Sequence, residues 1–472
     1  MNDYAPTTAF TAETAVASVD ASSTSLLTDM YELTMLQGAL ASGTATRRSV
    51  FELFGRRLPA SRRFGVVAGT GRLLDAIEAF TFTPSQIDFL HRTGVVNDET
   101  LDFLRDYRFT GTVRGYAEGE CYFAGSPLLT VEGTFAEACI LETLALSIYN
   151  YDCAVASAAS RMTIAAHGRP CVDFGARRAH EQAAVAAARA SVVGGFVGTS
   201  NLEAGLLYGI PTVGTSAHSF TLLHDSEEDA FAAQVASLGP STTILVDTYD
   251  IATGVERAVK AARAAGGELG AVRLDSGDLV AEAFKVRAQL DTLGATSTKI
   301  TVTNDLDEHA IAALGAAPVD SYGVGTKLVT GSGRPTAALV YKLVEREGAD
   351  GTMEEVAKFS SGGKSTVGGH KWAGRRLTSE GTAAEELVVS SSSQDQGLAA
   401  LSEAGARPLQ VLLVDEGRII EEHRGKEALS AAAERHRAAR AELPYDAWRL
   451  SDGESALPTR HVDLDGRSAT RR

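Results

Sequence analysis

The sequence predicts an α/β protein: a barrel-like core of parallel strands and helices, with a β-rich domain built from segments on both sides of it. Three observations carry this reading. From Cys171 to about residue 324, short apolar runs alternate with helical patterns, the mark of parallel strands joined by crossover helices. Polar residues recur at the end of almost every run. A closed or nearly closed barrel gathers strand ends at one rim, whereas a doubly wound sheet uses a single crossover. Outside the core, on either side, the texture turns to alternating strands with Gly and Pro turns.

Taken in order, residues 1–22 are rich in Ala, Thr and Ser and lack the basic start and apolar centre of a signal peptide, so they read as a disordered leader. Leu26 to Ala41 has helical periodicity with Thr28 as its N-cap. Residues 49–54 and 109–133 alternate as antiparallel strands, with Gly125-Ser126-Pro127 as a turn. A long Ala/Leu helix is expected from about Glu137 to Ala166. Core strands are expected at 171–174, 211–216, 243–247, 270–274, 299–303 and 321–324, with helices centred near 187, 205, 233, 259, 286 and 311. Strands return at 338–345, 354–359, 386–390 and 409–415, and a helix covers 425–442. The domains are therefore expected at 23–150 and 336–445 for the two β-rich parts and 151–335 for the barrel, with 446–472 a loosely ordered tail.

The chain has 472 residues, 44% hydrophobic and 22% charged, with a formal net charge of −16. That charge opposes broad binding to nucleic acid or to an anionic membrane, while local arginines can still hold a small anion. No apolar run approaches the roughly 20 residues of a membrane span. Cys121, Cys139, Cys153 and Cys171 have no paired or zinc-ligand spacing, and read as reduced core thiols of a cytoplasmic protein.

The chemistry concentrates at strand ends. Ala271-Val272-Arg273-Leu274-Asp275-Ser276-Gly277-Asp278 is a buried strand ending in carboxylates and a serine, with a helix start beside it. Such a place suits phosphate, sugar hydroxyls and Mg²⁺. Asp173-Phe174-Gly175-Ala176-Arg177-Arg178 places two arginines after another strand; they can grip a carboxylate or phosphate, or simply begin a solvated helix. Gly198-Thr199-Ser200-Asn201 is a small polar turn. Gly214-Thr215-Ser216-Ala217-His218 puts a histidine among small residues, which leaves its ring accessible. Asp247-Thr248 and Thr303-Asn304-Asp305 add oxygen groups, and Gly323-Val324-Gly325-Thr326-Lys327 has the make-up of a phosphate cradle without the Walker spacing.

In this order, and with Thr28-Asp29-Met30-Tyr31, Phe51-Glu52-Leu53-Phe54-Gly55-Arg56-Arg57, Lys358-Phe359-Ser360-Ser361-Gly362-Gly363-Lys364 and Lys371, the motifs resemble the nicotinate phosphoribosyltransferase family over nearly the whole chain. The resemblance implies an incomplete TIM-like barrel, a β-rich domain, and a homodimer whose active sites draw on both subunits. It implies transfer from phosphoribosyl pyrophosphate to nicotinate, the entry to NAD salvage from nicotinic acid, coupled to ATP and assisted by Mg²⁺. By the same resemblance, Tyr31 stacks on the nicotinate ring, reaching in from the partner subunit. Arg177 or Arg178 holds the carboxylate near Phe174, and His218 is the phosphorylated histidine. Arg273, Asp275, Asn304 and Asp305 line the ribose side with Asp247 close by, Asp275 and Asp305 being the metal ligands. Gly323, Gly325 and Thr326 receive the 5-phosphate. Arg56 or Arg57, Lys364 and Lys371 neutralise pyrophosphate. One departure is Gly368-Gly369-His370-Lys371, where the family has a Pro-Gly turn before the lysine.

A nicotinamide-preferring relative would have a neutral ligand and little use for paired arginines; a quinolinate-using one would need further cations. A sugar-phosphate isomerase or aldolase would want a Schiff-base lysine or a poised base, and Lys327 is the only lysine expected at a core strand end. A non-catalytic regulator would have no need of Arg177, His218, Asp275, Asp278 and Lys371 together. Asp278 also reads as a helix cap, and Glu203 as a solvent-facing helix residue.

Overall fold

Six short strands form the core sheet: Cys171–Asp173, Gly198–Thr199, Thr243–Leu245, Ala271–Leu274, Lys299–Val302 and Ser321–Val324. All of their pairings are parallel. Across the sheet the order is Gly198–Thr199, Cys171–Asp173, Ser321–Val324, Lys299–Val302, Ala271–Leu274 and Thr243–Leu245. The first and last strands of the chain segment are thus neighbours, as in a barrel, but the two edges never meet. This computed structural model describes residues 23–358 and 366–465; the expected leader and Lys364 lie outside the described residues.

The gap has a local cause. The expected strand 211–216 makes only one parallel bridge, Thr199 to Thr212. Pro211 has no N–H to donate, and Val213 is 39% exposed, so no apolar face holds the segment flat. The stave that would approach Thr243–Leu245 is therefore a loop. Conversely, Gly198–Thr199, read as part of a turn, is a two-residue edge strand. The result is a curled half-barrel.

Helices follow the strands closely, and several strand-end polar residues start them. Asn201, Ser226, Asp250, Asp278 and Asp307 each accept a backbone N–H from the first turn of the next helix, satisfying donors that a helix start leaves free. Asp278 is thus a cap, as expected.

The β-rich domain is mainly a seven-stranded sheet. Its order is Met353–Glu355, Leu339–Glu347, Arg48–Gly55, Pro127–Thr134, Thr112–Tyr116, Gln410–Asp415 and Arg418–Ile419. Segments from both sides of the half-barrel therefore share one sheet, with the three N-terminal strands in the middle and C-terminal strands at both edges. A four-stranded sheet adds Ala406–Pro408, Lys371–Leu377, Ala383–Ser390 and Thr459–Asp463. Its last strand lies inside the expected loose tail and pairs in parallel with Ala383–Ser390; its Val462 packs against the small core around Trp372. The described part of the tail is thereby tied down. The N-terminal helix runs Met30–Ala41 with Asp29, not Thr28, at the N-cap, because the Thr28 hydroxyl instead bonds Glu32.

The expected long helix is two, Phe135–Cys139 and Glu142–Ala165. The second supplies Tyr149 and Cys153 to the β-domain core and Val155 to Met162 to the half-barrel core. Nearby, Arg189 makes a bidentate pair with Glu118 at 2.6 and 2.8 Å, both buried. The shared helix and this pair fix the two domains to each other. All four cysteines are free and buried, and among the described residues no helix is long and apolar enough to cross a membrane.

Candidate active site

Because every core strand runs the same way, the residues that follow them emerge at one rim. There they line a cavity of about 410 Å³. Phe174, Arg177, Arg178, His218, Arg273, Asp275, Asn304, Asp305, Gly323, Gly325 and Thr326 all border it. Eleven residues expected from five separate strand-end motifs therefore share one cavity.

The arginine side is built on a buried carboxylate. Asp173 is fully buried and accepts the Gly175 N–H at 2.7 Å and the Thr199 hydroxyl at 2.7 Å. Burial raises its pKa, and those two hydrogen bonds oppose the rise. Gly175 opens the short 3-10 turn Ala176–Arg178, and a Cβ there would lie 2.2 Å from Val329. Phe174 packs so closely on Gly323 that a Cβ at 323 would sit 2.5 Å from its ring. Close packing thus sets where Phe174, Arg177 and Arg178 stand.

The oxygen side depends on Asp247. Its carboxylate is 1% exposed; one oxygen accepts the Asp275 N–H at 2.9 Å and the Ser276 hydroxyl at 2.7 Å. The other has no hydrogen-bond donor among the described residues and stands 4.0 Å from His218 Nε2. His218 Nδ1 lies 3.1 Å from the Thr248 hydroxyl. The ring is thus flanked by a hydroxyl and a carboxylate while 42% of it remains open. Asp247 does not line the cavity; it fixes the loop that presents Asp275. Asp275 in turn accepts the Thr303 hydroxyl.

Asn304 has φ 109°, a conformation that costs a non-glycine residue free energy and so is set by its surroundings. Its side-chain oxygen accepts the Asp305 N–H at 2.8 Å. Between the two sides, Arg273 donates to the Thr215 hydroxyl at 3.2 Å. Burial lowers its pKa and Arg177 adds to that, while Asp275 and Asp247 oppose it.

Four expected contributors lie elsewhere. Tyr31 is on the N-terminal helix and 45% exposed, and Arg56 and Arg57 follow the strand Arg48–Gly55; none of the three borders this cavity. Lys371 requires a correction to its expected place at pyrophosphate. It is 1% exposed and donates to Glu52 at 2.8 Å and to the Gly369 carbonyl at 3.1 Å. The residue starts a central strand of the four-stranded sheet, so its ammonium points into the domain. Ser200, Thr215 and Ser216 also border the cavity. Their strand-end position was visible in the sequence, but such small hydroxyls occur in any turn and carry no distinguishing signal.

Parallel strands converging on a rim that carries arginines on one side and carboxylates on the other define a barrel-type enzyme site for a small anionic, hydroxyl-bearing substrate. The comparisons agree with that class and narrow it. Residues 26–150 match the N-terminal domain of nicotinate phosphoribosyltransferase, and 170–360 match the nicotinate phosphoribosyltransferase family. The chain is 51% identical over 445 residues to a nicotinate phosphoribosyltransferase of Mycobacterium tuberculosis, covering 93% of this chain and 95% of that one. The human nicotinate phosphoribosyltransferase is 31% identical over 430 residues, covering 77% and 79%. A crystal structure of human nicotinic acid phosphoribosyltransferase superposes with TM-score 0.78 at 25% identity, covering 92% of this chain and 97% of that one. The chain belongs to the nicotinate phosphoribosyltransferase family.

Proposed function

We infer that this enzyme transfers the 5-phosphoribosyl group of phosphoribosyl pyrophosphate to the ring nitrogen of nicotinate, giving nicotinate mononucleotide and pyrophosphate, the first step of NAD salvage from nicotinic acid. One observation carries the reading: Arg177 and Arg178 share a single cavity with Asp275, Asn304 and Asp305. The guanidinium groups suit the nicotinate carboxylate, and their charge favours the acid over neutral nicotinamide. Asp275, Asn304 and Asp305 suit ribose hydroxyls and support the positive charge that develops at C1 as the pyrophosphate bond breaks. The Gly323-to-Thr326 turn gives a phosphate backbone N–H groups and a hydroxyl. Orientation and charge placement account for the catalysis, with no nucleophilic side chain attacking the sugar.

Among the described residues no three ligating side chains cluster to enclose a metal. Asp275 and Asp305 fit Mg²⁺, an ion that needs one or two carboxylates and takes its remaining ligands from water and phosphate oxygens. When bound it neutralises charge on the pyrophosphate. In the homodimer we propose, Tyr31 of one subunit completes the base side of its partner's site, and Arg56 or Arg57 with Lys364 contribute to the pyrophosphate side.

His218 is the residue we assign to ATP coupling. Its ring nitrogen takes the γ-phosphoryl group of ATP and releases ADP, and water later removes that group as phosphate. The added charge organises the anion-binding loops in between. The experiment assays pyrophosphate release from nicotinate and phosphoribosyl pyrophosphate, with and without ATP, for the wild type and His218→Ala. ATP should stimulate only the wild type, with slow ATP-independent transfer surviving in the variant. Full stimulation of His218→Ala would overturn the coupling role, and no nicotinate-dependent release by the wild type would overturn the reaction itself.

A further inference from the structure

Between the helix Met30–Ala41 and the β-rich sheet lies a second cavity, of about 370 Å³, that shares no lining residue with the strand-end cavity. Its size falls within the range of small-molecule sites. Met35, Ala39, Phe135 and Leu343 make most of its wall apolar. Its charged lining consists of Arg47 and Arg346, with no carboxylate. In a chain of net charge −16, a recess lined by two cations and no anion runs against the prevailing charge.

The two arginines differ in how far they are engaged. Arg346 pairs with Glu354 at 2.9 Å and donates to the Glu347 carbonyl at 3.1 Å. Arg47 has no carboxylate within ion-pair distance among the described residues, although it is only partly exposed. Strand register places Arg346 opposite Ser49, two residues beyond Arg47, so both guanidinium groups serve one recess. A half-buried guanidinium with no carboxylate partner among the described residues, lining the same cavity as an apolar wall, is complementary to one kind of molecule.

We propose that this cavity binds a small amphiphilic anion: a single carboxylate or sulfonate head on an aryl or short alkyl body. The head meets Arg47, assisted by Arg346, and the body fills the space between Met35, Ala39, Phe135 and Leu343. Burying such a body removes apolar surface from water, and the charge-assisted hydrogen bonds select the anion. A lipid surface is a poor match, because the site is recessed and Glu347 and Glu354 stand beside it. The site is independent of the transferase reading.

The test titrates the whole chain with 8-anilinonaphthalene-1-sulfonate, followed by fluorescence, and then competes with octanoate, octanol and octylamine. One saturable site should appear. Octanoate should displace the probe at least about tenfold better than octanol or octylamine, and nicotinate with phosphoribosyl pyrophosphate should not displace it. Two variants locate the site. Arg47→Gln removes the charge of Arg47, and Ser42→Trp fills the cavity from an exposed lining position. Each should weaken probe and octanoate binding by about tenfold or more, with an unchanged circular dichroism spectrum. Absence of saturable binding, equal competition by octylamine, displacement by the transferase substrates, or wild-type affinity in Ser42→Trp would each overturn the proposal. Should Arg47→Gln not fold, Ser42→Trp and the competition series decide alone.

Discussion

Asp173 accepts the Thr199 hydroxyl across adjacent strand ends at 2.7 Å, and its other oxygen accepts the Gly175 N–H at the same distance. One buried side chain therefore ties the edge strand Gly198–Thr199 to the turn that carries Arg177 and Arg178. The Thr199 hydroxyl also accepts the Asn201 N–H at 3.0 Å, so it acts as donor and acceptor at once. Thr199→Val, nearly the same shape, would leave a carboxylate oxygen and an N–H without partners. Each loss of this kind costs about 1–3 kcal/mol. We expect a matching drop in denaturation free energy and a larger rise in KM for nicotinate than for phosphoribosyl pyrophosphate. Thr199→Ser should restore both. Equal rises in the two KM values would remove the positioning role from this pair.

Gly323 supplies a second constraint on the same turn. A methyl group there would overlap the Phe174 ring, 2.5 Å away, and Thr303 Cγ2, 2.7 Å away. Gly323→Ala must push the ring or the Thr303–Asp275 contact aside, at about 1–3 kcal/mol for overpacking. Gly315→Ala meets nothing within 4 Å and serves as the matched control. Steady-state kinetics should show Gly323→Ala impaired by about tenfold or more in kcat/KM, with Gly315→Ala near wild type.

Much of this site is legible in the sequence, for a physical reason. Parallel strands emerge at one rim, so Arg177, His218, Asp275, Asn304 and Gly325 could be gathered from strand-end position alone. Where that logic ceased to apply, so did the reading. Lys371 lies in an antiparallel sheet, whose residue faces are decided by pairing partners distant in sequence; Glu52 is 319 residues away. An incomplete barrel is what the family resemblance implies, but the place of its gap is not legible, because 211–216 has a strand-like composition and Pro211 is compatible with an edge strand. The strand Thr459–Asp463 is pinned mainly by its pairing with Ala383–Ser390, since two of its five residues, Arg460 and His461, are exposed. Tertiary pairing, not local propensity, decided each of those.

Two buried histidines make stability sensitive to acid. His436 is held down to about 3, from an ordinary 6.5, chiefly by burial and also by nearby Arg440; its carbonyl contact with Gly119 opposes this. His370 is lowered to about 3 by burial, with Lys371 and Arg114 adding to it. Between about pH 6.5 and pH 3 the unfolded chain binds protons that these folded rings refuse. Stability is therefore complete above the unfolded value and falls as pH drops through that window, by up to about 1.4 kcal/mol per pH unit for each ring. Denaturation midpoints measured at about pH 7 and about pH 5 should show this loss, and His436→Gln should reduce the slope. A variant with the wild-type slope would show that His436 protonates freely in the fold.

Lys371 and Glu52 join the two β-sheets through one buried ion pair, at 1% and 4% exposure and 2.8 Å. Desolvation makes such a pair a weak source of net stability, yet removing one partner strands a charge in the interior at about 3–5 kcal/mol. Lys371→Met should therefore unfold at a much lower denaturant concentration than wild type. Adding Glu52→Leu, which removes the stranded carboxylate, should recover most of the loss. A lysine that instead reached pyrophosphate would behave oppositely: Lys371→Met would keep its stability, lose affinity for phosphoribosyl pyrophosphate, and gain nothing from the second substitution. Chemical denaturation of the four proteins of this double-mutant cycle, beside KM for phosphoribosyl pyrophosphate in each, separates the two roles. We expect the coupling to appear in stability.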